Sequence, residues 1–371
     1  MAYRGAVIGL GWMGLLYDLA PRMGTWHVDD VDRPTPELNI DRRFYFHSQH
    51  LKGMQGSSTS YCEAIHNRPD VDLIAAAERD VKRLAAFKKR YGVDAIYTDA
   101  VEMLEKERPE IVGIASNTKG RPDLVCAAVA NGAKGIFTEK PIAYTLEECD
   151  RMLRACADAG VPMVTGAISV NHPSFAVAKD LMTNGTIGDI VSIETVSNRN
   201  VSQHQNWAYF MDSTPAWVIG FGDAPRRESG SAEFRGSGML VTDTDQVVHF
   251  RKDGPAVRIT GTEGEILHAA HYAPWELLKD VEPVDGAGKS RIPIPWPGVQ
   301  LLPPYHNAVY GLADVIRCLD GELDEPKNSA RSVAMAFEVE LAMKMSAAQG
   351  GKRIDLPLSD RSLAMKYDWH R

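Results

Sequence analysis

No apolar run in this sequence reaches the roughly 18 residues that a membrane-spanning helix requires. The stretch Ala6 to Leu10 is too short for a signal-peptide core and runs straight into glycines, so neither a membrane span nor export is expected. Paired cysteine is lacking too. Cys62, Cys126, Cys149, Cys156 and Cys318 are scattered, with no Cys-x-x-Cys and no regular framework, which fits reduced thiols and a cytoplasmic setting. Positive charge is not in excess: 41 Lys+Arg stand against 49 Asp+Glu, a net charge of -8. The electrostatic footprint of a nucleic-acid binder is therefore missing, and no nucleic-acid partner is expected. Metal-ligand spacing is also absent. His27, His47 and His50 follow no such pattern, and His268 and His271 have no third ligand nearby, so no metal site is expected.

What is present is a soluble globular composition, 44% hydrophobic and 24% charged, in a 371-residue chain long enough for about two domains. Ala6-Val7-Ile8 is an apolar β run that opens into Gly9-Leu10-Gly11-Trp12-Met13-Gly14, a Gly-x-Gly-x-x-Gly turn. Gly9 permits the tight turn, Gly11 lets the backbone approach a pyrophosphate, and Gly14 allows close helix-strand packing. The acid that grips a ribose is expected about 20 residues later. That interval instead holds Ala20-Pro21-Arg22 and a polar, Pro-rich, aromatic stretch up to Gly56. Residues 20–56 read as an insertion, expected to be an ordered arm over the substrate cleft or against a neighbouring subunit. Trp26, Phe44, Tyr45 and Phe46 would otherwise expose too much apolar area. After a helix over Ser60 to Asn67, Val71 to Ala77 is the delayed second strand, ending in Glu78-Arg79-Asp80. A carboxylate at Glu78 accepts from both ribose hydroxyls and repels a 2′-phosphate, which favours NAD; it also suits the first turn of a helix from Val81. Arg79 would instead welcome that phosphate, so NADP stays open.

The alternation continues with a helix Val81 to Tyr91 closed by Gly92, a strand Ile111 to Ala115 followed by Ser116-Asn117-Thr118, and a helix Pro122 to Asn131. Strand Gly135 to Thr138, helix Thr145 to Ala159 and strand Pro162 to Thr165 complete a doubly wound unit over residues 1–166. The strand at Gly135 ends abruptly in Glu139-Lys140-Pro141. Lys140 thus falls at the carboxyl end of a strand, where open parallel sheets bind their ligands.

Gly9-x-Gly11-x-x-Gly14, the strand-terminal Glu78-Arg79-Asp80 and above all Glu139-Lys140-Pro141 resemble the Gfo/Idh/MocA family of nicotinamide-dependent oxidoreductases, named for glucose-fructose oxidoreductase and inositol dehydrogenase. The resemblance covers most of the chain. It implies an N-terminal Rossmann domain and, over residues 167–371, a C-terminal α/β domain with a large, mostly antiparallel sheet whose open face makes a homo-oligomer, a dimer or tetramer. It implies NAD or NADP held by Gly9, Gly11, Trp12, Met13, Gly14, Glu78, Arg79, Ser116, Asn117, Glu139 and Lys140. Two departures stand out: Ser116-Asn117-Thr118 replaces the usual Thr-Pro-Asn, and Arg121 stands near the place of a His. The resemblance puts Asn171 and His172 beside the nicotinamide, although His172 also reads as a helix-start residue. The family's second signal, an Asp four residues before a His on one helical face, is matched by Asn200 and His204, with Asp212 to Gly220 downstream. A shifted register offers Gln205 and Tyr209, and in neither is the Asp present.

The second half reads as a helix Ser174 to Asn184, a long strand Val191 to Ser197, and the antiparallel strands Met239 to Phe250, Val257 to Gly261 and Gly264 to His268. Pro283 to Pro304 reads as a surface loop, Tyr305-His306 as the start of a helix through Leu319, and Ser329 to Gln349 as a long closing helix. The expected activity is hydride transfer between nicotinamide and a secondary hydroxyl or ketone of a sugar, inositol or related polyol. Lys140 is the expected alkoxide stabiliser and His204 the proton carrier. Asn171, His172, Asn200, Tyr305 and His306 complete the expected substrate contacts. A sensor that binds dinucleotide without turnover, and redox chemistry on a non-carbohydrate such as a dihydrodiol, are the rival readings.

Overall fold

A computed structural model describes residues 2–17, 60–197, 201–223, 233–269, 273–283, 286, 288–300 and 308–365. The expected insertion 20–56, Asn200, Tyr305, His306, and His27, His47, His50 and His271 lie outside the described residues. The chain forms two compact units, neither of them continuous in sequence. The first is Met1–Ala143, Glu148–Asn171 and Pro303–Ala330; the second is Tyr144–Glu147, His172–Leu302 and Arg331–Arg371.

In the first unit β1 (Tyr3–Ile8), β2 (Val71–Ala77), β3 (Ile96–Tyr97), β4 (Ile111–Ile114), β5 (Gly135–Thr138) and β6 (Met163–Thr165) make one sheet in the order β3-β2-β1-β4-β5-β6. Every pairing is parallel. This is the dinucleotide-fold order, with its switch point between β1 and β4. The central strands are apolar throughout because both faces are buried. Helices α1 (Tyr61–His66), α2 (Val81–Tyr91), α3 (Ala100–Glu107), α4 (Arg121–Ala130) and α5 (Leu146–Ala159) are the crossovers. Gly92 closes α2 in the left-handed region at φ 69°. Register sets Ile8 opposite Ala77 and Ile114, and Ile114 opposite Thr138, so four strand ends finish level. After α6 (Ser174–Thr183) and the strands of the second unit, the chain returns with α7 (Ala308–Leu319), which packs on β5, β6 and α1. α7 was expected in the second domain. It belongs to the first because Gly135 and Gly311 permit a close approach: a Cβ on Gly311 would lie 3.0 Å from Phe137.

In the second unit β7 (Ile190–Val196), β8 (Pro215–Phe221), β9 (Ser237–Thr242), β10 (Val247–Arg251), β11 (Val257–Gly261), β12 (Gly264–His268), β13 (Trp275–Val281), β14 (Ser290–Ile294) and β15 (Ile354–Asp355) form a nine-stranded sheet. Its order is β14-β13-β12-β11-β7-β10-β9-β8-β15, antiparallel except for the parallel pair β7 and β10. α8 (Ala330–Ala348), which belongs here from Arg331 onward, comes close to β8 at Gly220, whose N–H donates to Ser346 Oγ at 2.9 Å. Three sequence expectations need correction. Met239 to Phe250 is a hairpin of two strands. The loop expected over Pro283 to Pro304 contains β14, which tolerates Pro293 because it is an edge strand. Residues 201–204 are turns rather than a helix, so the one-face argument for His204 does not hold; the anchor segment downstream is strand β8 from Pro215 on.

Candidate functional site

The glycine turn follows β1. Gly9 sits at φ +90°, where only glycine is at ease, and a Cβ there would lie 2.9 Å from the Ala115 carbonyl. A Cβ on Gly14 would collide with the Gly9 carbonyl. The turn leads into a short π-helical turn, Trp12–Leu16, in which Leu15 and Leu16 N–H both donate to Gly11 O, at 3.0 and 3.2 Å. Gly11 itself faces open space: a Cβ there would meet nothing nearer than Arg83 Nη1 at 3.7 Å. That cradle is the front of a groove of about 720 Å³, inside the range of about 300–1,000 Å³ usual for small-molecule sites. Gly9, Gly11, Glu78, Arg79, Ser116 and Asn117 line it together, as do Arg83, Asp99 and Lys119. A turn that only glycines can make, open backbone at Gly11 and a groove along level strand ends fit an extended dinucleotide. Trp12, Met13 and Gly14 shape the turn but do not line the groove; Trp12 packs its ring 4.8 Å from Tyr17.

Glu78 follows β2 and is held on both oxygens. Oε2 accepts from Leu10 N–H at 2.7 Å, and Oε1 accepts from Arg79 N–H at 2.8 Å and Asp80 N–H at 3.1 Å. Asp80 caps α2 through Lys82 N–H at 2.9 Å. The residues between Gly92 and Glu110 went unread in the sequence. Asp99 accepts from Val101 and Glu102 N–H, at 2.8 and 3.0 Å, and so starts α3 on the groove wall. The Asp-x-x-Glu spacing at Asp99 and Glu102 is the signal that would have found it.

Lys140 follows β5, joined to Pro141 by a cis peptide bond. Arg121, only 1% exposed, secures this loop. Its Nη1 donates to the carbonyls of Glu139, at 2.6 Å, and Pro141, and its Nη2 to Ser116 O at 2.6 Å. A single planar fork thus ties the ends of β4 and β5 together. Glu139, expected at the cofactor, is buried instead. Its Oε2 accepts from Lys140 N–H at 3.1 Å, and Tyr61 Oη stands 2.9 Å from both Glu139 Oε1 and Thr138 O. The Tyr61 ring stacks on Phe137 with centroids 4.4 Å apart. Burial, followed by the Glu139 charge, pushes the Tyr61 hydroxyl well above its usual range, so it remains a donor at all working pH values. Behind Lys140, Gly166 is at φ +87°, and a Cβ there would lie 3.4 Å from Lys140 Cβ. Two buried amides hold Gly166: Asn171 Nδ2 donates to its carbonyl at 2.8 Å and Asn328 Nδ2 at 3.2 Å. Tyr61 and Asn328 have no signal in the sequence, because only the tertiary fold brings them to the strand end.

In the second unit His172 is a helix-start residue. Its Nδ1 accepts from Ser174 N–H at 3.1 Å and lies 2.9 Å from Ser174 Oγ, which accepts from Trp275 Nε1–H at 3.0 Å. An Nδ1 that accepts leaves the proton of the neutral ring on Nε2. His204 lies on a buried polar strap, Ser202 to Asn206, each residue of which is less than 10% exposed. Ser202 donates to Glu340, Gln203 Nε2 to Glu233, and Trp207 Nε1–H to Val201 O at 2.9 Å. Burial pushes the Glu340 carboxyl up to about 7, against hydrogen bonds from Ser202 and Phe234 N–H that pull it down. Of the shifted-register pair, Gln205 is buried and Tyr209 lies half-buried, 5.9 Å beneath the Lys179 ammonium. Among the described residues no His, Cys, Asp and Glu side chains group as a metal site.

Residues 52–167 match the family model described as "Oxidoreductase family, NAD-binding Rossmann fold". The chain is 31% identical to a myo-inositol 2-dehydrogenase of Thermotoga maritima across 37% of its own length and 40% of that protein. It is 31% identical to a D-apiose dehydrogenase of Paraburkholderia graminis across 33% of its length and 34% of that protein. The matched parts thus span less than half of these curated relatives. An oxidoreductase of Agrobacterium radiobacter, solved with NAD+, L-tartaric acid and magnesium, superposes with a TM-score of 0.61 at 16% identity, covering 96% of this chain and 98% of the other, which shows a shared fold. From β2 through β6 the parallel unit thus matches the model of an oxidoreductase family with an NAD-binding Rossmann fold, and the chain is similar in that part to sugar and inositol dehydrogenases.

Proposed function

We propose that this chain is an NAD(P)-dependent oxidoreductase that interconverts a secondary hydroxyl and a ketone on a sugar, inositol or related polyol. The observation that carries the reading is Lys140: an ammonium at the end of β5, two places from β1 in the sheet, on a loop braced by Arg121 and backed by Gly166, Asn171 and Asn328. A protein that only bound dinucleotide would have no use for an ammonium so positioned, which weighs against the sensor reading. When bound, the nicotinamide supplies the hydride acceptor or donor. Gly9, Gly11 and the groove hold the dinucleotide, Lys140 stabilises the developing alkoxide, and His204 moves the hydroxyl proton. His172, with Nδ1 accepting from Ser174 N–H, stays a proposed substrate contact from the sequence, and Asn171 fixes the backbone behind Lys140. Two of the curated relatives that match are named for inositol and apiose, which supports a hydroxyl-rich substrate, and another is named for a dihydroxycyclohexadiene, which keeps the non-carbohydrate reading in view.

Among the described residues no helix is long and apolar enough to cross a membrane. We read the protein as cytoplasmic and as a homo-oligomer through the nine-stranded sheet, where Val191, Phe221 and Ile292 stand exposed. The test is a panel of sugars and polyols with NAD and NADP, followed by absorbance of the reduced nicotinamide. On the best substrate, Lys140→Met should lower turnover by roughly 10²–10³ while dinucleotide affinity stays within a few-fold. Turnover of Lys140→Met within a few-fold of the unmodified protein would remove Lys140 from the chemistry.

A further inference from the structure

His204, the residue read as the proton carrier, lies outside every described helix and strand: residues 201–203 are turns, and Asn206 N–H closes back on His204 O at 2.6 Å. A reacting group has to keep its place to within about 0.5 Å. In a helix or strand the ladder of backbone hydrogen bonds secures that. On this strap the observed anchors are side chains.

Two neighbouring residues of the strap end on buried carboxyls. Ser202 Oγ donates to Glu340 Oε2, and Gln203 Nε2 donates to Glu233 Oε1. Glu340 is 1% exposed and Glu233 2%. The other oxygen of Glu340 accepts from Phe234 N–H at 2.7 Å, so one carboxyl on α8 joins the strap to the residue next to its second anchor. That segment is itself fixed. Arg235 N–H donates to Asp223 Oδ1 at 3.0 Å, and Lys344 Nζ, one turn beyond Glu340 on α8, donates to Asp223 Oδ2 at 2.7 Å. At 19 residues α8 is the longest described helix, and helices hold a group more precisely than loops do.

We propose that Glu340 is the positioning residue of this strap: by taking Ser202 O–H on one oxygen and Phe234 N–H on the other, it passes the rigidity of α8 to the loop that carries His204. Its effect on turnover rests on the reading of His204 as proton carrier; its effect on the strap does not. Burial pushes the Glu340 carboxyl up to about 7, so at pH 6 it is largely uncharged and glutamine reproduces both its shape and its charge.

The experiment uses the full chain labelled with 15N-histidine at pH 6, unmodified and as Ser202→Ala, Glu340→Ala and Glu340→Gln, with His204→Gln identifying the ring signals of His204. Ser202→Ala and Glu340→Ala should shift or broaden those signals, while Glu340→Gln leaves them in place. On the best substrate of the polyol panel, the two alanine variants should lower kcat by roughly tenfold or more, since a displacement of about 1 Å can cost that and beyond. NAD affinity should stay within about threefold in all of them, and Glu340→Gln should keep kcat within about threefold. Thermal midpoints establish which variants are folded, and Ser202→Ala carries the test if Glu340→Ala does not fold. His204 signals unmoved in a folded Ser202→Ala, or moved as far by Glu340→Gln as by Glu340→Ala, overturn the proposal. So does a fully active Ser202→Ala beside an inactive His204→Gln. Moved signals together with a fully active His204→Gln support the positioning role and overturn the proton-carrier reading instead.

Discussion

Burial raises the Glu340 carboxyl from 4.5 to about 7, so this side chain holds a proton in the folded protein where the unfolded chain has lost it. Between those values the native state binds more protons, and stability falls as pH rises. The contribution is present in full below about 4.5 and is gone once pH has passed through about 7. At about 1.4 kcal/mol for each unit of displacement, the change is on the order of 3 kcal/mol. Glu340→Gln cannot ionise. Its unfolding free energy relative to the unmodified protein should therefore rise steadily from about pH 5 to pH 8, measured by urea titration at each pH. A difference that stays flat over that range would show that Glu340 titrates as an ordinary carboxylate. No local pattern marks this group, since Glu340 lies in a helix of ordinary composition and only the folded unit sets it against Ser202 and Phe234. Lys140 and Glu78 were legible because a strand end is a local feature. Arg121 was noticed only as a departure from a pattern, and its fork between the ends of β4 and β5 emerges only when those strands are side by side.

Within elements, the glycine turn separates two demands that look alike in sequence. Gly14 is required by the fold, because any side chain there strikes the Gly9 carbonyl. The fold does not require Gly11, because a methyl group there meets only Arg83 at 3.7 Å and Gly11 has a negative φ of -78°, so on the proposed reading the demand comes from the dinucleotide. Gly11→Ala should keep its thermal midpoint within a few degrees and lose dinucleotide affinity by roughly tenfold or more, while Gly14→Ala should lose stability by roughly 2 kcal/mol or more. Calorimetry and NAD titration of the two variants check this, and equal stability loss in both would mean that the turn is read wrongly. The parallel strands were legible because burial on both faces leaves continuous apolar runs. β3, with two residues, carries no periodicity, and β14 contains a proline that argued against a strand. The strap around His204 was misjudged as helical because a four-residue spacing says which residues share a face only if a helix forms.

At the scale of the molecule, the first unit is completed by residues that come late in the chain. α7 covers β5 and β6, with Leu312, Val315 and Ile316 among the buried core residues. A fragment of residues 1–171 lacks that cover and exposes the apolar surface around Phe137 and Val164. Each uncovered large side chain forgoes about 1.5–3 kcal/mol of burial, a sum comparable to the entire stability of a domain. The fragment should therefore show no cooperative thermal transition by circular dichroism, and a sharp melt near that of the full chain would contradict this. The same arrangement bears on how the protein is made. While the ribosome is still synthesising the nine-stranded sheet, the nascent N-terminal portion already displays the bare flank of β5 and β6. It keeps that flank bare until residues near 319 have left the exit tunnel. The usual order of domain-by-domain folding during translation is thus closed to this chain, and the exposed flank is a natural place for a chaperone to hold it until its last third arrives.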